Sequence, residues 1–382
     1  MRIPGDHFWQ NSEQRLVSGR YISFTALVAI ALVAVAVTLP PAIASVRTAI
    51  DGWSTGPATK VAPASARGLL YTVTGDERSA IFIQSDSGSR SPRQIIHGDG
   101  QQAAGLASPD GANILFLAAA CPRCSAAYLL DVVGTGTTRI IGSGAGRITY
   151  GGARIDANWS ADGRRVAFVE NGPDAPSGRI FLLDVDSGDR RALVANGVEQ
   201  QTNPVWSPSA GSVAYLAGGK SSIVTVTNLE GGETRALNDQ LDHASDLAWS
   251  PDGRYLSVLR NGELWLIATG DGRGFKLDVP GNVQSFGGWA PDSRSVTVAA
   301  GGPLAPDNGA DRVLVVPVDG GPVTSIIAHA SVGDVRWSPD GRTIAWTSNG
   351  VDRWGIWSAS STGGAAQQIA SGSGAVTLDS WR

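Results

Sequence analysis

The segment "WSPDGRYLSVL", starting at Trp249, recurs along this chain and constrains its fold more than any other feature. Related copies read "ASPDGANILFL" from Ala107, "WSADGRRVAFV" from Trp159 and "WSPSAGSVAYL" from Trp206. "WAPDSRSVTVA" from Trp289 and "WSPDGRTIAWT" from Trp337 complete the series. Successive copies stand 40 to 52 residues apart, and a final tryptophan, Trp381, follows 44 residues after Trp337. Proline presets φ for the second turn position, aspartate bonds the local backbone and glycine takes the left-handed conformation of a bulged hairpin. A β run follows each turn. Strand-patterned repeats of about 40–50 residues mark a β-propeller, with one four-stranded sheet per repeat.

A second series gives an independent count. Glycine-rich turns between two β runs occur at Gly88, Gly134, Gly188, Gly231, Gly272, Gly320 and Gly363, seven in all against six complete Trp-turns. The first unit begins with what would be a second strand, "LLYTVT" after Gly68, and "AVTLDSWR" remains spare at the C-terminal end. The mismatch predicts a seven-bladed, all-β propeller over 67–382, closed by the C-terminal strand pairing into the N-terminal blade. Closure removes the free strand edges that an open ring would expose. Composition agrees: 49 glycines in 382 residues and only 17% charged residues suit many short strands joined by tight turns. A net charge of −4 without basic runs excludes nucleic acid as a partner, since phosphate binding needs a cationic face.

Ahead of the repeats, Ile22 to Leu39 is an uninterrupted run without charge, about the minimum length to cross a bilayer. Arg2, Arg15 and Arg20 precede it, which favours a cytoplasmic N-terminus and an exported body. The expectation is a short cytoplasmic tail over 1–21, a single transmembrane helix over 22–44 and a linker over 45–66. A cleaved signal peptide is the alternative, because Ala42-Ile43-Ala44 has the small-residue pattern of a cleavage site. Both place the propeller on the extracytoplasmic side of the cell membrane. The two cysteines, Cys121 and Cys124, lie between two β runs, and an exported context permits a disulfide stapling that hairpin. A redox centre would instead need a helix N-terminus to lower the thiol pKa.

The Trp-turn copies "WSPDGRYLSVL" and "WSPDGRTIAWT" resemble the repeat of TolB-type propellers, also found in the propellers of prolyl oligopeptidase relatives. The resemblance covers about residues 66–382. It implies an extracytoplasmic propeller that binds a protein partner in the cell envelope. TolB-type proteins have six blades behind an α/β domain, whereas this chain has seven predicted blades and an apolar segment in that place. Relatives of prolyl oligopeptidase follow the propeller with a hydrolase domain, but no Gly-x-Ser-x-Gly elbow stands here between a strand and a helix.

No metal or cofactor motif stands out: the four histidines are scattered and His-Glu-x-x-His is absent. The Trp-turn aspartates, Asp110, Asp162, Asp252, Asp292 and Asp340, are read as turn formers. Long loops on the opposite face therefore carry the expected recognition rim: Tyr150, Arg154, Asp174, Arg179, Asp311, Arg312, Asp352, Arg353 and Trp354. An exposed Trp354 beside Arg353 would be the interface anchor. The expected function is a membrane-anchored protein-interaction module of the cell envelope, not an enzyme. Alternatives are a binder of small ligands or envelope glycans in the central funnel and a propeller hydrolase built on scattered carboxylates.

Overall fold

The computed structural model describes residues 68–75, 79–85, 92–97, 102–121, 124–132, 138–143, 156–172, 175–194, 200–238, 241–301, 309–327, 331–349 and 353–382. The chain divides into Met1–Ser45 and Val46–Arg382, and every described residue falls in the second unit. The expected tail, transmembrane segment and linker lie outside the described residues. Among the described residues no helix is long and apolar enough to cross a membrane.

The regular secondary structure among the described residues is strand alone, grouped in seven sheets. The first blade holds β1 (Leu69–Thr74), β2 (Ser79–Gln84) and β3 (Arg93–His97). The second holds β4 (Gln102–Ala107), β5 (Asn113–Cys121), β6 (Cys124–Asp131) and β7 (Thr138–Ser143). The third is β8 (Ala157–Trp159), β9 (Arg165–Gly172), β10 (Ala175–Asp184) and β11 (Arg190–Ala192). Blade four comprises β12 (Gln201–Trp206), β13 (Ser212–Gly218), β14 (Ser221–Asn228) and β15 (Thr234–Ala236), with β16 (Leu241–Asp242) added on β14. Blade five is β17 (Ala244–Trp249), β18 (Tyr255–Arg260), β19 (Glu263–Ala268) and β20 (Gly274–Lys276). Blade six is β21 (Asn282–Trp289), β22 (Ser295–Gly301), β23 (Arg312–Pro317) and β24 (Thr324–Ile327). Blade seven is β25 (Val332–Trp337), β26 (Thr343–Asn349), β27 (Trp354–Ser360) and β28 (Gln367–Gly372).

One strand is left, β29 (Ala375–Trp381), and it pairs antiparallel with β1 to give the order β29-β1-β2-β3. Leu69 faces Trp381 and Thr74 faces Ala375 across this seam. The spare C-terminal segment is therefore the inner strand of the first blade, as its sequence predicts. The structure is a seven-bladed β-propeller.

Seven apolar clusters sit between neighbouring sheets and follow the ring around. Leu70, Ile81, Ile114 and Tyr128 join the first and second blades, and Val313, Val335 and Trp346 join the sixth and seventh. The circuit is completed by Tyr71, Trp354, Ile356, Val376 and Leu378, which join the seventh blade to the first. The core is thus distributed as interblade layers, since each sheet buries both faces against its neighbours.

The Trp-turns act as local clamps, and their aspartates have the turn-forming role expected of them. Ser250 Oγ donates to Asp252 Oδ1 at 2.6 Å, Asp252 accepts from the Arg254 amide and Ser250 Oγ accepts from the Tyr255 amide. The same pattern recurs at Ser338 and Asp340. Gly253 and Gly341 take φ of 75° and 70°, where a Cβ is disfavoured. The tryptophan reaches sideways: Trp249 Nε1 donates to the Val205 carbonyl of the preceding blade at 3.1 Å, and Trp159 to Leu106 at 3.0 Å. These two residues join flat apolar packing to one directed bond between blades, whereas the buried Trp206 Nε1 has no hydrogen-bond partner among the described residues.

In blade two, Cys121 and Cys124 are cross-strand partners at the tip of the β5–β6 hairpin, where the sequence places its staple. Their side chains lie outside the described residues.

Candidate central funnel site

The inner strands do not run straight. In β12, β17 and β25 a β-bulge interrupts the ladder, between Thr202 and Val205, Ser245 and Ala248, and Val332 and Val335. A bulge re-aims side chains and is common beside functional sites. Here it holds the residue three positions before the blade's tryptophan: Asn203, Asp246 and Asp334. Asn203 and Asp246 take φ of 53° and 52°, a left-handed conformation that asparagine and aspartate tolerate better than other side chains. Asp156 occupies the same offset before Trp159.

All four line a cavity of about 810 Å³ together with Asn158, Gln284, Arg336, Asn349, Thr377 and Asp379. Residues along the inner strands, with Asn349 at the end of β26, form this lining.

Several funnel side chains also tie blades together. Asp156 Oδ1 accepts the Asn203 amide at 2.9 Å, and Asn158 Oδ1 accepts the Trp206 amide at 3.1 Å. Asp334 Oδ2 accepts the Leu378 amide at 3.3 Å, across the closing seam. Asp379 is buried at 7% exposure and accepts the Thr72 hydroxyl at 2.6 Å. Burial pushes the Asp379 carboxyl up to about 7, helped by the Asp334 charge and opposed by the Thr72 and Gly105 hydrogen bonds and the Arg336 charge. Burial likewise pushes Asp156 up to about 6, while its bond from the Asn203 amide opposes the shift. Carboxyls held near neutrality in a cleft can give or take a proton at physiological pH, the property that general acid–base chemistry needs. Among the described residues, no group of three or more His, Cys, Asp or Glu is arranged to hold a metal ion.

The expected recognition rim fares differently. Tyr150, Arg154, Asp174 and Asp352 lie outside the described residues. Arg179 faces Glu170 across the β9–β10 ladder. Arg312 and Asp311 pair with each other at 2.8 Å. Arg353 is exposed just before β27. Trp354, expected as an exposed anchor, is instead buried at 7% exposure, and this corrects the reading of it as an interface residue. Its ring packs over Gly372 and 6.2 Å from Tyr71, and Nε1 donates to the Ser373 carbonyl at 2.8 Å. It fills the seam between the seventh and first blades, a place that exists only once the ring has closed.

The funnel residues were not among the expected candidates, although a signal for them is legible. "DANW", "NPVW", "DLAW" and "DVRW" put Asp or Asn three residues before the tryptophan in four repeats. A polar residue at a fixed offset within an otherwise apolar strand marks a shared position that faces away from the interblade core.

The fold and its funnel define a class: a seven-bladed propeller with TolB-like structural neighbours. No family model matches the chain. A curated relative, the "Uncharacterized peptidase YuxL" of Bacillus subtilis (strain 168), is 23% identical over 201 residues, 51% of this chain. The chain spans only 29% of the length of that relative. TolB from Acinetobacter baumannii superposes with a TM-score of 0.51 at 16% identity, covering 83% of this chain and 67% of that one. An oligogalacturonate lyase in complex with manganese gives 0.57 at 12% identity, over 79% of this chain and 84% of the lyase. A prolyl endopeptidase gives 0.56 at 12% identity, over 90% of this chain and 55% of the other. These likenesses establish the fold. They also correct the expectation that the protein is not an enzyme: the curated relative is named a peptidase, and two propellers of similar shape belong to enzymes.

Proposed function

We propose that this protein is a polypeptide-recognising β-propeller whose site is the central funnel. The observation that carries this reading is the convergence of Asp156, Asp246 and Asp334 from three blades on one cavity of about 810 Å³. Carboxylates in a concave, low-dielectric cleft focus a negative potential, and this favours an ammonium group such as a peptide amino terminus or a lysine side chain. Long-loop residues such as Arg353, Asp311 and Arg312 surround the same face and extend the contact. Support for a polypeptide ligand comes from the resemblance to TolB-type repeats and from the peptidase name of the curated relative. Export of the propeller on a membrane-spanning 22–44 segment is part of the proposal, supported by the apolar run and the arginines before it.

The test is fluorescence anisotropy with a labelled lysine–alanine peptide on the full chain. Charge-assisted hydrogen bonds contribute about 1.5–3 kcal/mol each, so the Asp156→Asn, Asp246→Asn double variant is expected to bind at least ~10-fold more weakly. Unchanged affinity would overturn the reading.

A second reading, peptide hydrolysis, is favoured by one specific pair. The Asp379 carboxyl is held near neutrality beside the charge of Asp334, an environment that separates the roles of two carboxyls as acid and base. Turnover of a chromogenic peptide that is lost in Asp334→Asn would support it. The absence of any turnover in the wild-type chain would count against it.

A further inference from the structure

Arg336 stands apart from the rest of the funnel lining. It lies on β25 of the seventh blade, which sits three blades from the third in one direction and four in the other. Across the cavity from it is therefore the Asp156 wall. Its guanidinium is oriented by main-chain acceptors alone: Nη1 donates to the Val335 carbonyl at 2.8 Å and Nε to the Asp379 carbonyl at 3.3 Å. Among the described residues it forms no ion pair within 4.0 Å, although the chain's other close pairs, such as Arg312 with Asp311, are well formed. Asp334 and Asp379 share its neighbourhood. Asp334 is engaged by the Leu378 amide and Asp379 by the Thr72 hydroxyl.

A guanidinium carries five N–H donors in a rigid fork, and two are committed here. The two backbone bonds hold the fork in place, and its charge acts on the neighbouring Asp379 carboxyl without a direct ion pair. A fixed guanidinium with uncommitted N–H donors in a cavity wall matches the geometry of a carboxylate, which it can bind in a bidentate manner.

From this geometry we infer that Arg336 is the carboxylate-binding residue of the funnel and receives the free C-terminal carboxylate of a short peptide. The inference rests on the polypeptide reading given above and adds polarity to it. The ligand's amino group faces Asp156 and Asp246, and its carboxylate faces Arg336. The site therefore selects free peptide ends over internal segments of a longer chain.

The experiment compares two probes on the full-length protein: a pool of tripeptides with free carboxyl ends, and the same pool with amidated ends. Retention on immobilised protein is read by mass spectrometry. The wild type is expected to retain the free-acid pool at least ~10-fold better, the discrimination given by one charge-assisted pairing. Arg336→Gln is expected to abolish that preference, and Arg336→Lys to restore part of it. Equal retention of both pools by the wild type, or an unchanged preference in Arg336→Gln, overturns the assignment of Arg336 while leaving the funnel as the site. Retention of neither pool overturns the polypeptide reading itself. A circular dichroism melt of each variant separates loss of binding from loss of fold.

Discussion

Replacing Asp379 by asparagine should make the propeller more stable in alkaline solution and slightly less stable in acid. Asp379 lies in the closing strand, buried, with its carboxyl raised from an ordinary value of 3.8 to about 7. In the unfolded chain that carboxyl ionises near 3.8, whereas in the folded chain it keeps its proton until about 7. The folded state therefore binds more protons between these values, so stability falls as pH rises through the interval. Below the unfolded value both states are protonated and no stability is lost. Each unit of separation corresponds to about 1.36 kcal/mol, so the full penalty above the folded value is about 4 kcal/mol. Asparagine removes the charge and keeps a carbonyl for the Thr72 hydroxyl, but its NH₂ replaces one acceptor, at a cost of about 1 kcal/mol. The expected gain for Asp379→Asn is then about 3 kcal/mol near pH 8, fading through zero near pH 4. Urea denaturation followed by tryptophan fluorescence at both pH values measures it. Asp156 adds a pH dependence of the same sign, which cancels in the difference between parent and variant. A difference that is the same at both pH values, or a variant less stable than the parent near pH 8, would refute the reasoning.

Two further outcomes concern the ring. Trp249→Phe keeps most of the packing but loses the bond to the Val205 carbonyl, and should cost about 1–2 kcal/mol in the same denaturation assay. Deleting 375–382 removes Val376 and Leu378, each at most 2% exposed, at about 1.5–3 kcal/mol per side chain, and it leaves β1 as an open edge. Against a typical total stability of about 5–15 kcal/mol, the deletion should abolish cooperative unfolding and give a soluble yield far below that of the parent. A truncated chain with an intact, cooperative melt would contradict circular closure.

Much of this structure is legible in the linear chain, and for a local reason. The Trp-turn is a short-range device in which Ser250, Asp252, Gly253 and Tyr255 satisfy one another within six residues, so their order in sequence specifies the hairpin. Repeating that device at a propeller period, with an unmatched strand at each end, dictates seven blades and their closure. Function was read less well because side-chain direction depends on partners distant in sequence. Trp354 has the composition of an exposed anchor beside Arg353, but it is buried because β1, hundreds of residues away in sequence, comes to lie with β29 against β27. Asp156, Asp246, Asp334 and Asp379 are scattered over more than 200 positions and share a cavity only when the inner strands converge on one axis. The burial that raises Asp379 toward neutrality is likewise assembled from β1, β4, β25 and β29 together. Thus the amino-acid order alone determined the repeat, the number of blades and the way the ring shuts, since hydrogen bonds within each turn and the strand count decide these. Which side chains meet in the funnel, and how strongly they hold their protons, was decided only by the tertiary structure, because both depend on distances between blades that the chain does not encode locally.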